Sequence, residues 1–208
     1  MINQCEILKH LGSGKSGDSY LILCDGTYYV YKKMHHKPFI NGHTFTIEDE
    51  LNSYHILKQF SLNIPTLIYY DLKASYLIKS YIEGVTLAEF ITKNPYPLAL
   101  YQQTYATFKH IEKKGFNIDY FPTNFIIANN KLYYIDYEIN PYQPTWSFLS
   151  WGIHYWFNRK GFIRYLKDHS QDHILLNHHD GIPIKMHHKK VYQIFMSMIH
   201  TEKGEQIT

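Results

Sequence analysis

The run Asp119-Tyr-Phe-Pro-Thr-Asn124 is followed 12 positions later by Asp136 in Tyr133-Tyr-Ile-Asp-Tyr-Glu, so two acids and an amide bracket one short hairpin. Carboxylate and amide oxygens are hard donors suited to Mg²⁺, and a carboxylate also orients a hydroxyl; these are the two tasks that phosphoryl transfer sets. Each of the three, taken alone, also reads as a turn residue, but that reading explains all three at this spacing poorly. A second candidate is Gly12-Ser-Gly14-Lys-Ser-Gly17, which lies between two strand-like runs. A Walker loop or a dinucleotide fingerprint would open a helix, so Gly-Lys-Ser at 14 to 16 does not carry either meaning. At a hairpin tip, glycines let backbone N–H groups approach phosphate oxygens; a plain flexible hairpin is the alternative. The third is Lys32, on the next strand. An inward lysine needs an anionic partner, because a desolvated unpaired ammonium is costly. Glu50 is the natural partner and Glu48 the second choice; the alternative places Lys32 or Lys33 on the solvent side of an edge strand.

The elements that must position these residues change character along the chain. Strand-like runs cover Glu6 to Leu11, Ser19 to Cys24, Tyr28 to Lys33, Thr66 to Asp71 and Ser75 to Tyr81, with Asp25-Gly26 as a hairpin signal. One helix interrupts them, opened by Thr46 and the acids after it and stopped by Asn63 and Pro65. After Gly84 the period is mostly helical: Leu87 to Thr92, Leu98 to Lys114, Pro144 to Asn158 and about His188 to His200. A hairpin around Asn129-Asn130 returns between them. The expected class is α+β, with a five-stranded antiparallel front carrying one helix and a mainly helical back.

Composition narrows the function classes. The chain has 208 residues, 45% hydrophobic and 19% charged, with a formal net charge of +3 and no basic run that demands a nucleic-acid partner. A chain of this size hides roughly 70% of its unfolded surface and needs no staples. Cys5 and Cys24 form neither a C-x-x-C pair nor a disulfide framework, and no charged-then-apolar leader opens the sequence, so a reduced, cytoplasmic protein is expected. The longest nearly apolar stretch, Ser147 to Phe157, is too short to span a membrane. Twenty tyrosines spread through every segment read as strand and core packing. Histidine pairs at His35-His36, His178-His179 and His187-His188 offer a metal alternative, but neighbouring side chains diverge and rarely share one ion. Tyr-Lys interleaving over residues 28–37 offers an RNA surface, on a strand whose Lys32 already has a reading.

In order and spacing, these parts resemble the protein-kinase-like superfamily over about residues 8–137. Gly12-x-Gly14-x-x-Gly17 matches its glycine-rich loop, Lys32 its strand-three lysine and Glu50 the helical partner. Tyr76-Leu-Ile-Lys-Ser-Tyr-Ile-Glu-Gly-Val-Thr-Leu87 resembles the hinge, Asp119-x-x-Pro-x-Asn124 the catalytic loop and Ile135-Asp136-Tyr the metal-binding motif. The resemblance implies one bilobal kinase-like domain over 1–208: a front lobe to about 81, a hinge over 79–84 and a reduced back lobe from 85. It implies that Gly12, Ser13, Gly14, Lys15 and Gly17 cover the ATP phosphates, that Lys32 holds them with Glu50, and that the backbone of Ser80 and Ile82 meets adenine. Asp119 would take the acceptor's proton, while Asn124 and Asp136 would hold Mg²⁺.

The departures bear on the acceptor. Asn117-Ile118-Asp119 stands where the family has His-Arg-Asp, so the arginine that reads loop phosphorylation is missing. Phe121 replaces the usual lysine of Ser/Thr protein kinases, Tyr137-Glu138 replaces Phe-Gly, and residues 137–208 carry no Ala-Pro-Glu motif. A small back lobe resembles that of the RIO and KEOPS-subunit kinases, or of the aminoglycoside phosphotransferases. The expectation is an ATP- and Mg²⁺-dependent kinase of protein Ser/Thr hydroxyls, cytoplasmic, with no nucleic-acid or membrane partner. A small-molecule kinase and a nucleotide-binding pseudokinase are the alternatives. Trp146, Trp151 and Trp156 are expected in the core.

Overall fold

A computed structural model describes residues 5–35, 45–94, 98–174 and 193–199. The chain divides into two compact units, Met1–Gln59 with Asn63–Glu83, and Phe60–Leu62 with Gly84–Thr208. The architecture is mixed α+β.

The first unit opens with β1 (Cys5–Ser13), β2 (Gly17–Cys24) and β3 (Thr27–Met34). Asp25 and Gly26 turn β2 into β3, both at positive φ, as a two-residue hairpin of this type requires and Asp-Gly supplies. Helix α1 (Ile47–Leu57) starts on a capping box: Thr46 Oγ1 accepts from the Asp49 N–H and the Asp49 carboxylate accepts from the Thr46 N–H. β4 (Leu67–Asp71) and β5 (Tyr76–Ser80) complete a five-stranded antiparallel sheet of order β1-β2-β3-β5-β4.

Register sorts the side chains of β3 between two faces. Tyr29 and Tyr31 stand opposite Ile22 and Tyr20 on β2, and with Tyr76 they cover the buried trio Ile22, Cys24 and Ile78. Lys32 and Met34 alternate onto the other face and are buried there. Helix α1 buries Ile47, Glu50, Tyr54 and Leu57, a stripe at helical spacing that contains one acid.

Cys5 and Cys24 corrects an expectation. The two residues face each other across β1 and β2 with a Cα–Cα distance of 4.3 Å and are joined as a disulfide rather than held as two thiols. Their sequence separation of 19 carries no pairing signal; only the hairpin register brings them opposite. The cytoplasmic expectation loses the support it took from reduced cysteines. Among the described residues, no helix is long and apolar enough to cross a membrane.

The second unit begins with β6 (Val85–Thr86), α2 (Leu87–Lys93) and α3 (Leu98–Lys113), followed by β7 (Phe116–Ile118). Helix α3 ends at Gly115, whose φ of +87° suits glycine. The hairpin of β8 (Phe125–Ala128) and β9 (Lys131–Tyr134) turns on Asn129 and Asn130, both at positive φ, and β6 pairs with β8. β10 (Ile139–Pro141) pairs back onto β7. The core is aromatic: Trp156 is fully buried, with the rings of Tyr101, Phe108, Phe125 and Phe148 at 4.7, 5.5, 5.2 and 5.0 Å from its own. Trp156 is core as expected. Trp146 is 42% exposed and packs edge-on against the half-buried Trp151 instead.

The helix expected over Pro144 to Asn158 is broken. Pro144–Trp146 forms a tight turn, Ser147 is extended, and a wider turn over Phe148–Gly152 leads into α4 (Ile153–Trp156). The break at Ser147 has one local and one distant cause: its hydroxyl caps the new turn by accepting from Ser150 N–H, and the buried Glu112 carboxylate accepts from Phe148 N–H at 2.8 Å. Helix α5 (Arg159–Asp168), capped by Asn158, was not anticipated; Phe162 is its buried anchor. Residues 193–199 are helical, within the helix expected there, while 188–192 and 200 lie outside the described residues.

Candidate functional site

The glycine run sits where β1 turns into β2. Gly14 N–H donates to Gly17 O at 2.9 Å and closes the tip. Gly17 is required by packing: a Cβ there would run into the Lys33 carbonyl of β3. The tip is held from two sides, by His35 Nε2 against Gly14 O at 3.1 Å and by Ser16, whose hydroxyl donates to Glu50 Oε1 at 2.9 Å. Lys15 lies over the Phe45 ring, and Ser13 donates to Asp18.

Lys32 forms a buried ion pair with Glu50, the two residues being 6% and 4% exposed. Glu48 is exposed. The pair follows from two periodicities: alternation along β3 turns Lys32 inward, and the 3.6-residue repeat of α1 puts Glu50 on its buried stripe. Glu50 Oε1 therefore takes both the ammonium and the Ser16 hydroxyl, whereas Oε2 is buried with no hydrogen-bond partner among the described residues. Ser16 is the residue of this cluster that sequence reasoning missed; it lies inside the glycine run, but nothing in the run marks its hydroxyl as a partner of Glu50. Ser80 ends β5 and donates its N–H to Thr66 O at 2.9 Å, so that N–H is taken up by the sheet. Ile82 is half-buried just beyond.

The acids and the amide belong to the second unit. Asp119 follows β7, and its carboxylate accepts from Phe121 N–H at 3.0 Å, which starts the tight turn Pro122–Asn124. Asn124 accepts from Ile135 N–H at 2.9 Å, which draws the residue before Asp136 to the base of the same hairpin. The loop backbone is pinned at Tyr120, whose carbonyl accepts from the Trp156 indole at 2.7 Å and whose hydroxyl donates to Glu112 at 3.3 Å. Phe121 packs against Tyr155 and Phe162. Asn117 Oδ1 accepts from Gln143 N–H at 2.6 Å and holds the chain beyond β10.

Burial pushes the phenols of Tyr120, Tyr134 and Tyr155 above the ordinary value of 10.0, with Glu112 adding to the first, Asp136, Glu138 and Asp119 to the second, and Asp119 to the third. A raised folded value favours the neutral phenol, so its stabilisation is full below pH 10 and is lost as pH rises through the folded values. In a spectrophotometric titration these three tyrosines are therefore expected to ionise only as circular dichroism records unfolding. Full tyrosinate absorbance near pH 10 with the fold intact would contradict their placement.

The donor set suits Mg²⁺ in kind: a carboxylate and an amide oxygen at the two sides of one hairpin base, the remaining positions being of the sort that phosphate and water fill. Among the described residues, no group of three or more His, Cys, Asp or Glu is placed to hold a metal. Of the histidine pairs, His36, His178, His179, His187 and His188 lie outside the described residues.

No protein-family model matches the chain, and a search of curated proteins returns no match.

Proposed function

We propose that the chain is an ATP- and Mg²⁺-dependent phosphotransferase of protein-kinase-like architecture, acting on Ser or Thr hydroxyls of a protein. The observation that carries this reading is the buried Lys32–Glu50 pair, set beneath a glycine tip that touches it through Ser16. Burying two charges is rarely the most stable solution, since an apolar pair of similar volume does as well or better. An ammonium held there, beside a strand turn rich in N–H groups, is suited to phosphate oxygens. The antiparallel sheet with a single helix after β3 is the arrangement the resemblance calls for in a front lobe, and Asp119, Asn124 and Asp136 around one hairpin are what it calls for in a back lobe.

In this reading Lys32 neutralises the α- and β-phosphates and Glu50 orients it. Asp119 accepts the proton of the acceptor hydroxyl as its oxygen bonds to the γ-phosphorus; the bond to the β–γ bridging oxygen breaks and ADP leaves. Asn124 and Asp136 hold Mg²⁺, which supplies the charge that offsets the phosphate oxygens.

The test is incubation of the purified protein with γ-labelled Mg-ATP. Label on Ser or Thr in the wild type, absent from Asp119→Asn and Asp136→Asn, is the expected result. Label that reaches only small hydroxylated compounds overturns the protein acceptor, and a wild type that neither binds nor turns over Mg-ATP overturns the phosphotransferase.

A further inference from the structure

Tyr134 stands on β9 directly opposite Phe125 of β8, with ring centroids 5.2 Å apart, and is fully buried. Its ring packing alone does not explain a phenol, since phenylalanine fills the same space. The hydroxyl accepts from Asp119 N–H at 3.3 Å and donates to Glu138 O at 2.9 Å. A hydroxyl can accept and donate at one atom, which neither a carboxylate nor an ammonium can do. We propose that Tyr134 is a positioning residue, whose single hydroxyl ties the backbone at Asp119 to the backbone just past Asp136 and so sets the spacing of these two aspartates. The proposal rests on the phosphotransferase reading.

Two further observations support it. The connection continues beyond the phenol: Ile139 pairs with Ile118, Tyr142 N–H donates to Gly115 O at 2.8 Å, and Asn117 takes Gln143 N–H. These three bonds fasten the chain after Asp136 to the chain before Asp119 through neutral groups. Finally, the Ile135 N–H bond to Asn124 O ties the third oxygen donor to the residue next to Tyr134. One phenol stands at the meeting point of all three segments.

The experiment compares wild type, Tyr134→Phe, Asp119→Asn and the double variant, reading hydrolysis of Mg-ATP and amide hydrogen exchange. Tyr134→Phe keeps the ring against Phe125, so amides of the β8–β9 hairpin are expected to stay protected, while exchange at Asp119 rises about tenfold from loss of one hydrogen bond. The hydrolysis kcat is expected to fall about 100-fold, the effect of a small misplacement at a reacting centre, with KM for ATP unchanged. In the Asp119→Asn background the same change is expected to have no further effect on kcat, because it acts through that carboxylate. Unaltered exchange at Asp119, unaltered kcat, or an equal loss in the Asp119→Asn background overturns the role. A wild type without Mg-ATP hydrolysis or binding overturns the phosphotransferase reading and the role with it; that failure is read on the wild type alone and so stands apart from the others.

Discussion

Lys32→Met is expected to lower stability and transfer together, and Lys32→Met/Glu50→Leu to recover the first without the second. In the single variant the Glu50 carboxylate stays buried with only the Ser16 hydroxyl on Oε1 and no partner on Oε2. Breaking a buried pair from one side costs about 3–5 kcal/mol, because the remaining charge is left uncompensated. Removing both charges removes that penalty, so the urea midpoint of the double variant is expected near that of the wild type or above it. Turnover of Mg-ATP is expected to fall about 10²- to 10³-fold in both, as when one preorganised donor is taken from a transition state. A double variant that regains turnover, or a Lys32→Met protein that keeps it, would show the pair to be structural only.

Asp136→Asn and Asp119→Asn are expected to fail at different steps. Asparagine at 136 keeps the size and an oxygen but loses the charge that a divalent ion needs, so nucleotide affinity is expected to stop depending on Mg²⁺. Asparagine at 119 can still accept from Phe121 N–H, and the turn into Pro122–Asn124 should survive. Its amide cannot take a proton, so transfer is expected to fall about 10²- to 10⁴-fold while Mg²⁺-dependent binding persists. Calorimetric titration with a non-hydrolysable ATP analogue, with and without Mg²⁺, separates the two. Retained transfer in the Asp119 variant removes it as the base, and retained Mg²⁺ dependence in the Asp136 variant removes it as a ligand.

Other parts of the molecule show where sequence reading fails. The Asp25-Gly26 turn, the Thr46 cap and the Asn129-Asn130 turn are local: each depends on a residue type that tolerates a particular φ or accepts a particular N–H, and each forms where it is expected. The segment over Pro144 to Asn158 does not become one helix, because Glu112, 36 positions earlier, takes the Phe148 N–H. An acceptor that distant in the chain leaves no mark on local periodicity. The short strands β6, β7 and β10 escaped for the same reason, since two or three residues carry no repeat and become strands only by pairing with a partner.

By itself the sequence determined the residue types that could do chemistry and the periodicities that orient them. It turned Lys32 inward on a strand, put Glu50 on the buried stripe of a capped helix, and set Asp119, Asn124 and Asp136 around one hairpin. Tertiary structure alone decided which atoms meet. It chose Glu50 over the exposed Glu48, added Ser16 to that carboxylate, paired Cys5 with Cys24 across a register, and brought the Tyr134 hydroxyl between Asp119 and Glu138. The physical reason is range: capping and turn preferences act over a few residues, whereas hydrogen-bond partners 15 to 36 positions apart are selected only when packing has closed the chain around them.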